Sequence, residues 1–377
     1  MATPSAATSP WSGRLLIIGS GLIGTSLGLA ASAAGAEVWL TDADPARADL
    51  AVSLGAGRPS PAGAVDVDLV MIAAPPSVVG RLAIEAIRAG AARTVSHVCS
   101  VQSLPQGDVE ASGVSTQRFV GSHPVAGREV SGPMHGTATL FRDRPWVICP
   151  TRRTDDDATE TVAALARACG AEPVTLDAGQ HDTLFARLSH APQLVASALA
   201  ATLTGLAADG VTLAGPGVRD TTRLADSDPQ LWTEIADANA APVAEALRAV
   251  VGPLLGVADA LAAAAAGGDS AAAQTAVHEL LLGGRAGRAL LPGKHGGAPT
   301  ELQVLQVVVP DRPGALAALL AAVADNDVNL EDLRVEHAPG QAVGTADLVV
   351  EPAVSAGLEA ALRDAGWTVS SGPATPL

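Results

Sequence analysis

The feature that most limits what this chain can become is a glycine turn set between a short apolar run and a stretch of small residues. Residues 14–18 read as a buried strand, Gly19-Ser20-Gly21-Leu22-Ile23-Gly24 follow at once, and a helix of small residues extends to Ala34. A second apolar run, 37–40, then ends in Thr41-Asp42. The order is strand, turn, helix, strand, acid. In that order the first glycine permits the tight turn, the second lets backbone approach a pyrophosphate, and the third lets the helix pack closely on the strand. Phosphates would sit on the helix N-terminus, where free N–H groups and the dipole favour anions. Asp42 lies 18 residues beyond Gly24, the place of a carboxylate that binds the adenosine ribose hydroxyls and repels a 2′-phosphate. NAD is therefore expected rather than NADP, with Arg47 the one nearby residue of opposite sign. The alternative is a glycine-rich turn in another α/β protein.

Further strand-like runs at 67–73, 94–99, 118–120, 145–149 and 173–176 alternate with helical stretches, notably 78–89 and 158–169. This is the text of a doubly wound sheet, in which ligands bind outside the carboxyl ends of the strands. Those ends carry Ala74-Pro75, Ser100-Val101-Gln102 and Gly121-Ser122-His123-Pro124. From His181 to about Leu291 the text becomes helical and rich in Ala and Leu, and Pro292-Gly293-Lys294-His295-Gly296-Gly297 reads as a linker. The last stretch, 302–370, reads β-α-β-β-α-β, the ferredoxin-like arrangement. The expected fold is α/β: an N-terminal Rossmann dinucleotide-binding domain (14–180), an all-α second domain (181–291) and a C-terminal ferredoxin-like βαββαβ domain (301–371).

A length of 377 residues agrees with two or three domains. The net charge of −16 argues against a broad basic face for nucleic acid or an anionic membrane. Residues 15–36 carry no charge and imitate a signal or membrane segment, but their glycines would weaken a spanning helix and no basic run precedes them; no later stretch reads as a span. Cys99, Cys149 and Cys169 form neither a CxxC pair nor a metal-ligand spacing. A soluble cytoplasmic chain with no metal is expected.

Three groups of residues could carry chemistry. His123, read as a loop residue at a strand end, could take a proton from a substrate hydroxyl near neutral pH; the alternative is a loop imidazole bonded to a nearby carbonyl. In the segment 181–193, Asp182, Ser189 or His190, and Gln193 recur on one helical face opposite Leu184, Phe185, Leu188 and Val195, a polar stripe of the kind that is usually solvated. Arg219 and Arg223 stand among glycines in an acidic chain, which suits carboxylate binding or an ion pair with Asp220 or Asp226. Lys294, the single lysine, follows Pro-Gly as part of a linker or lid.

Together these segments resemble the prephenate/arogenate dehydrogenase family of tyrosine biosynthesis, in the form with a C-terminal ACT domain. The motifs that carry the resemblance are Gly121-Ser122-His123-Pro124-Val125-Ala126-Gly127-Arg128-Glu129-Val130-Ser131-Gly132, the segment 219–232 ending Ser-Asp-Pro-Gln-Leu-Trp, and Pro292-Gly293-Lys294-His295-Gly296. The resemblance implies NAD as cofactor, with Ala74 and Pro75 among the residues beside it. It implies that His123 takes the proton of the ring 4-hydroxyl while Ser100 orients that hydroxyl and the nicotinamide. Arg223, with Arg219 and Lys294 as further cations, would hold substrate carboxylate. Glu129, His190, Gln193 and Trp232 would line the pocket and Asp182 would organise it. A homodimer, and an ACT domain that binds tyrosine as effector, are likewise implied.

Three positions depart from the family pattern. Where the family usually has Asp-Val-x-Ser-Val-Lys, this chain has His97-Val98-Cys99-Ser100-Val101-Gln102, and Gln193 stands where a second histidine is common. The implied reaction is oxidative decarboxylation of prephenate, with arogenate or a 4-amino-4-deoxyprephenate as the other substrates. Other classes are a β-hydroxyacid or 6-phosphogluconate-type dehydrogenase, disfavoured by the missing lysine at the start of the helical region, and a non-catalytic NAD-binding amino-acid sensor.

Overall fold

The computed structural model describes residues 11–61, 66–127, 131–291, 302–337 and 342–372. They fall into two compact units, one up to Val250 and one from Val251 onward. In the first unit, strands β1 (Arg14–Ile18), β2 (Glu37–Thr41), β3 (Arg58–Pro59), β4 (Val67–Ile72), β5 (Ala92–His97), β6 (Phe119–Pro124), β7 (Pro145–Pro150) and β8 (Glu172–Thr175) form one sheet in the order β3-β2-β1-β4-β5-β6-β7-β8. All neighbours are parallel except β6 and β7. The helices between them are α1 (Leu22–Ala33), α2 (Pro45–Ser53), α3 (Pro76–Ala89), α4 (Ser103–Ala111) and α5 (Asp156–Ala168).

Successive side chains of a strand face opposite sides of a sheet, and the buried strands here are apolar on both. Leu69 and Met71 join Leu15, Ile17 and Leu27 in one core with α1 and α5, whereas Val70 and Ile72 join Val79, Ala83 and Val109 in a second core with α3 and α4. The doubly wound α/β unit expected from the sequence is therefore present, with the reversal of strand order between β1 and β4 where the chain crosses from one flank to the other.

The structure corrects the reading of residues 121–124 as a loop. They continue β6, because β7 runs antiparallel alongside and pairs Gly121 with Cys149, His123 with Val147 and Pro124 with Trp146. Pro124, which has no N–H to donate, closes the strand. His123 is consequently held by a strand rather than by a loop.

Helices α6 (Ala178–Phe185), α7 (Ala191–Ala201), α8 (Ala208–Val211), α9 (Pro216–Thr222) and α10 (Pro229–Ala238) follow the sheet, then α11 (Ala240–Ala265) and α12 (Ser270–Arg288). A π-helical turn, Ala186–His190, joins α6 to α7. That turn interrupts the expected single helix, and of the two readings of its polar stripe, solvated or facing inward, the inward one is observed. Asp182, His190 and Gln193 are buried, while Leu184 and Leu188 are 44% and 64% exposed. The polar residues keep one common face on both sides of the turn, and that face is turned inward while Leu184 and Leu188 face out. The expectation that no stretch after residue 36 imitates a membrane span is also corrected: by length and hydropathy α11 does, although Pro253 lies inside it.

In the second unit, β9 (Gln303–Pro310), α13 (Ala315–Ala324), β10 (Asp332–His337), β11 (Val343–Val350), α14 (Pro352–Asp364) and β12 (Val369–Ser371) form an antiparallel sheet in the order β10-β11-β9-β12. Its two helices cover one core built from Leu305, Val307, Leu319, Leu348 and Leu362. This is the βαββαβ arrangement expected from the sequence.

Two glycines of α1 set how closely that helix approaches the sheet. A Cβ on Gly24 would lie 1.9 Å from the carbonyl oxygen of Gly19, and one on Gly28 2.2 Å from that of Ala56. Both obstacles are backbone, so neither can rotate away. Gly24→Ala and Gly28→Ala are each expected to lower stability by about 1–3 kcal/mol in urea unfolding, and unchanged midpoints would contradict this packing. Gly21→Ala, where a Cβ meets nothing within 4 Å, is expected to leave the midpoint nearly unaltered.

Candidate active site

The glycine turn is built as the sequence suggests. Gly19 takes φ +107°, and a Cβ there would lie 2.2 Å from the carbonyl oxygen of Ala73, so only glycine fits. Its N–H donates to the Thr41 carbonyl at 2.8 Å, and the N–H of Ala73 donates to that of Ile18 at 2.7 Å. These bonds place the carboxyl ends of β1, β2 and β4 side by side. Gly21 begins α1 with no side chain capping the helix. Space is open above it, so free N–H groups face a gap that an anion can enter, and the residues fit a dinucleotide pyrophosphate. Leu22 and Ile23 open the helix itself, and Ala74 and Pro75 lie past the end of β4 at the same edge.

Asp42 closes the turn from β2. Its Oδ2 accepts from the N–H of Ser20 at 2.6 Å and from the Ser20 hydroxyl at 2.9 Å, and Oδ1 accepts from the N–H of Asp44 at 2.9 Å. Burial opposes its charge, but these bonds, with Arg47 nearby, outweigh it and hold the carboxyl below the usual range. A fixed carboxylate at this edge suits ribose hydroxyls and opposes a 2′-phosphate.

A second carboxylate organises the neighbouring edge. Asp182 is 2% exposed and accepts the backbone N–H groups of Gln102 and Ser103 at 2.8 Å each, one on each oxygen. It thereby caps α4 from 80 residues away. Oδ1 also lies 2.9 Å from His181 Nδ1, and His181 Nε2 lies 2.9 Å from His123 Nδ1. A chain of three side chains, Asp182, His181 and His123, thus ends near the carboxyl end of β6. Phe185 stacks on His181 at 4.3 Å and meets His123 edge-on at 4.7 Å, which fixes both ring planes. Burial of Asp182 opposes its charge, yet the bonds from His181, Ser103 and Gln102 prevail and keep it ionised. His123 is pushed well below the usual histidine value by burial first, then by the nearby His181, His190 and His97. It is neutral at pH 7 and able to accept a proton.

His190, from the π-helical turn, is placed by Asn239. The amide nitrogen of Asn239 donates to the Asp182 carbonyl at 2.8 Å and lies 3.1 Å from His190 Nδ1. An atom that donates to a carbonyl is N–H, so His190 accepts at Nδ1 and carries its proton at Nε2. That Nε2 is buried with no partner among the described residues. Trp232 stands edge-on to the ring at 6.1 Å. Burial lowers the His190 pKa to about 4, so the ring is a neutral donor suited to a substrate oxygen.

The remaining expected residues lie apart from this network. Ser100 is half-buried between β5 and α4, past the end of the strand that pairs with β6. Both ends of the Gln193 amide are engaged: Nε2 donates to the Leu224 carbonyl at 2.7 Å, and the Ser227 hydroxyl donates to Oε1 at 3.3 Å. Gln193 thereby ties α7 to the turn that carries Arg223. Arg219 and Arg223 are exposed on α9 and the turn after it. Glu129, and Lys294 with its linker, lie outside the described residues. Sequence reasoning gave no part to His181, Asn239 or His97. The adjacent pair His181-Asp182 was the one available signal, and nothing local marks Asn239.

A dehydrogenase of the Rossmann class needs a phosphate cradle and a neutral base at the same sheet edge, and this chain has both; it is an NAD-dependent oxidoreductase. Comparison with known proteins identifies which kind. Residues 27–175 match the model of the prephenate dehydrogenase nucleotide-binding domain, 177–262 that of the prephenate dehydrogenase dimerization domain and 303–364 the ACT domain. The chain is 33% identical over 360 residues to the probable prephenate dehydrogenase NovF of Streptomyces niveus, covering 94% of this chain and 99% of that one. It is 26% identical to the prephenate dehydrogenase of Lactococcus lactis subsp. cremoris, over 85% and 91% of the two chains. Among solved structures it resembles Aquifex aeolicus prephenate dehydrogenase in complex with hydroxyphenyl propionate and NAD+ (TM-score 0.63, 26% identity, 73% of this chain and 98% of that one). A putative prephenate dehydrogenase of Corynebacterium glutamicum is also similar (TM-score 0.61, 29% identity, 66% and 82%). The chain belongs to the prephenate dehydrogenase family.

Gly21→Ala, which puts a methyl into the open space of the cradle, is expected to weaken NAD binding by about tenfold or more in calorimetric titration while the fold stands. Equal affinity would move the pyrophosphate elsewhere. Acid should act on the histidines. Above pH of about 6.5 a histidine is neutral in both the folded and unfolded chain and adds no pH dependence. Below it the unfolded chain binds protons that His97, held near 3, and His190, held near 4, refuse. Each ring then costs up to about 1.4 kcal/mol of stability per pH unit. Melting temperature should accordingly fall between pH 6.5 and 5; a flat profile would refute neutral burial.

Proposed function

We propose that this chain is a cytoplasmic prephenate dehydrogenase that converts prephenate and NAD to 4-hydroxyphenylpyruvate, carbon dioxide and NADH. The observation that carries the reading is the half-buried, neutral His123, held by His181 and Asp182 at the sheet edge that also carries the glycine cradle. His123 takes the proton of the ring 4-hydroxyl as C4 becomes a carbonyl carbon. Bound NAD supplies the acceptor for the hydride that leaves C4. The electron pair of the bond between the ring and its carboxylate then flows through the ring to the C4 oxygen, carbon dioxide departs, and the proton returns to that oxygen. Aromatisation drives the step. One base, one oriented substrate and the cofactor suffice.

The rest of the site divides the substrate among complementary groups. Ser100, beyond the end of β5, orients the hydroxyl. His190 offers an N–H to a substrate oxygen, with Trp232 beside it. Arg223, positioned by Gln193 through its turn, holds a carboxylate, with Arg219, Lys294 and Glu129 as further substrate-binding residues by family resemblance. Because the Gln193 amide is taken up by Leu224 and Ser227, it does not test whether the substrate side chain ends in a keto or an amino group. Arogenate is therefore the side-chain variant to compare, and 4-amino-4-deoxyprephenate, with nitrogen in place of the ring 4-hydroxyl, is the variant at the His123 contact.

Apolar side chains exposed in the region matching the dimerization domain, among them Leu188, Leu206 and Leu213, support a homodimer. The ACT portion supports feedback by tyrosine at the loop after β9 and the segment between α13 and β10.

NADH formation with prephenate, arogenate and 4-amino-4-deoxyprephenate should show the highest kcat/KM for prephenate; preference for an amino substrate would replace this assignment. Arg223→Ala should raise KM by about thirtyfold, the worth of a charge-assisted bond of about 2 kcal/mol, with a smaller effect on kcat. A normal KM would move the carboxylate site to Arg219. Tyrosine at millimolar concentration should lower activity and raise the melting temperature; no change in either would remove it as effector.

A further inference from the structure

The hydrogen bonds around His181 determine which nitrogen of His123 is free to act, and they do so through a residue that touches no substrate. Asp182 is an acceptor at every contact: it takes the N–H groups of Gln102 and Ser103 and faces His181 Nδ1 at 2.9 Å. A carboxylate cannot donate, so the proton between them sits on His181 Nδ1. In its neutral form His181 carries one N–H, which leaves Nε2 with its lone pair. The atom 2.9 Å from that lone pair is His123 Nδ1, and a hydrogen bond there requires the proton to be on His123. By the same count, His123 Nε2 is left unprotonated. Phe185, stacked on one ring and edge-on to the other, keeps both from rotating out of this alignment.

We propose that His181 is a positioning residue that fixes His123 as the Nδ1–H tautomer, so that Nε2 is the atom that receives the substrate proton. The inference rests on the reading of His123 as the base and specifies how this chain prepares it. An isolated imidazole exchanges between two tautomers, and only one presents a lone pair outward. The relay from Asp182 removes the other. When Nε2 takes a proton, the resulting imidazolium keeps its Nδ1–H bond to His181, whose own N–H remains on the Asp182 carboxylate. The positive charge therefore forms at the end of a chain already polarised to receive it. His190 is set the opposite way by Asn239, with its proton on Nε2, so the two histidines present an acceptor and a donor.

The test combines nitrogen-15 NMR of histidine-labelled protein with kinetics of two variants. In the wild-type protein at pH 7, His123 should show a protonated Nδ1 and an unprotonated Nε2. In His181→Phe, which keeps a ring against Phe185 but has no nitrogen, His123 should become a tautomer mixture. Turnover of prephenate should fall roughly ten- to a hundredfold with KM within about twofold. His181→Gln, whose carbonyl can accept from His123 Nδ1, should recover both the tautomer and a large part of kcat. The proposal is overturned if wild-type His123 is protonated at Nε2, or if His181→Phe loses activity while His123 keeps its Nδ1 proton. It is also overturned if His181→Gln is the slower variant. The spectrum needs no turnover, so a chain inactive with prephenate that still shows the Nδ1–H tautomer would sink the substrate assignment and leave the relay standing.

Discussion

A buried carboxylate is stable only if donors surround it, and Asp182 meets that demand from three directions. Two backbone N–H groups at the start of α4 and the His181 ring satisfy its oxygens, and its own carbonyl takes the amide of Asn239. Four parts of the chain are thereby locked to one residue: the end of β5 through Gln102, helix α4, the His123 strand through His181, and the π-helical turn through Asn239 and His190. Removing a single partner from such a network leaves a buried charge unpaired, which costs far more than one hydrogen bond contributes. The geometry of the base, the donor and the helix that carries the loop beside Ser100 therefore rises or falls together.

The two departures at 97 and 102 fall in the same neighbourhood. The family pattern has an acid and a base there, whereas His97 and Gln102 are neutral, and both are buried. His97 accepts the Cys99 N–H at 3.2 Å, while Gln102 donates to the carbonyls of Cys99 at 2.6 Å and Ser122 at 3.2 Å. Gln102 thereby joins the segment after β5 to β6, while His97 Nε2 and Gln102 Oε1 are buried without a partner among the described residues. Neutral groups at both positions avoid the desolvation of two ions, and burial keeps His97 and His190, which flank His123, well below the usual histidine value. An imidazole kept neutral by its surroundings has a lone pair available at every physiological pH, and the nearest carboxylate to it along the hydrogen bonds is Asp182.

Much of the fold was legible because it depends on short-range patterns. Gly19 needs φ beyond the reach of other residues, the strands are apolar on both faces, and the C-terminal stretch shows strands and helices in a readable order. Parts of the site were legible for the same reason: the glycine turn, Asp42 and His123 each stand at a strand end. What was misread or left open depended on packing or on distant pairing. Whether the stripe containing Asp182, His190 and Gln193 met solvent or the interior was open from periodicity alone, because a count of spacing does not say what packs on a face, and residues 121–124 looked like a loop because β7, which pairs with them, begins more than twenty residues later. The part played by His181 was hidden beside Asp182 in full view, since adjacency says nothing of which ring the far nitrogen meets.

By itself the sequence determined the class of fold and the kind of cofactor, because glycine stereochemistry, strand alternation and the placement of one acid are properties of neighbouring residues. It also marked His123 as the residue to watch. Only the tertiary structure decided what state that residue is in. Tautomer and protonation follow from which atoms stand within 3 Å and how much water is excluded, and the atoms in question, on His181, Asp182, Phe185 and Asn239, are brought to His123 and His190 by helices distant in the chain.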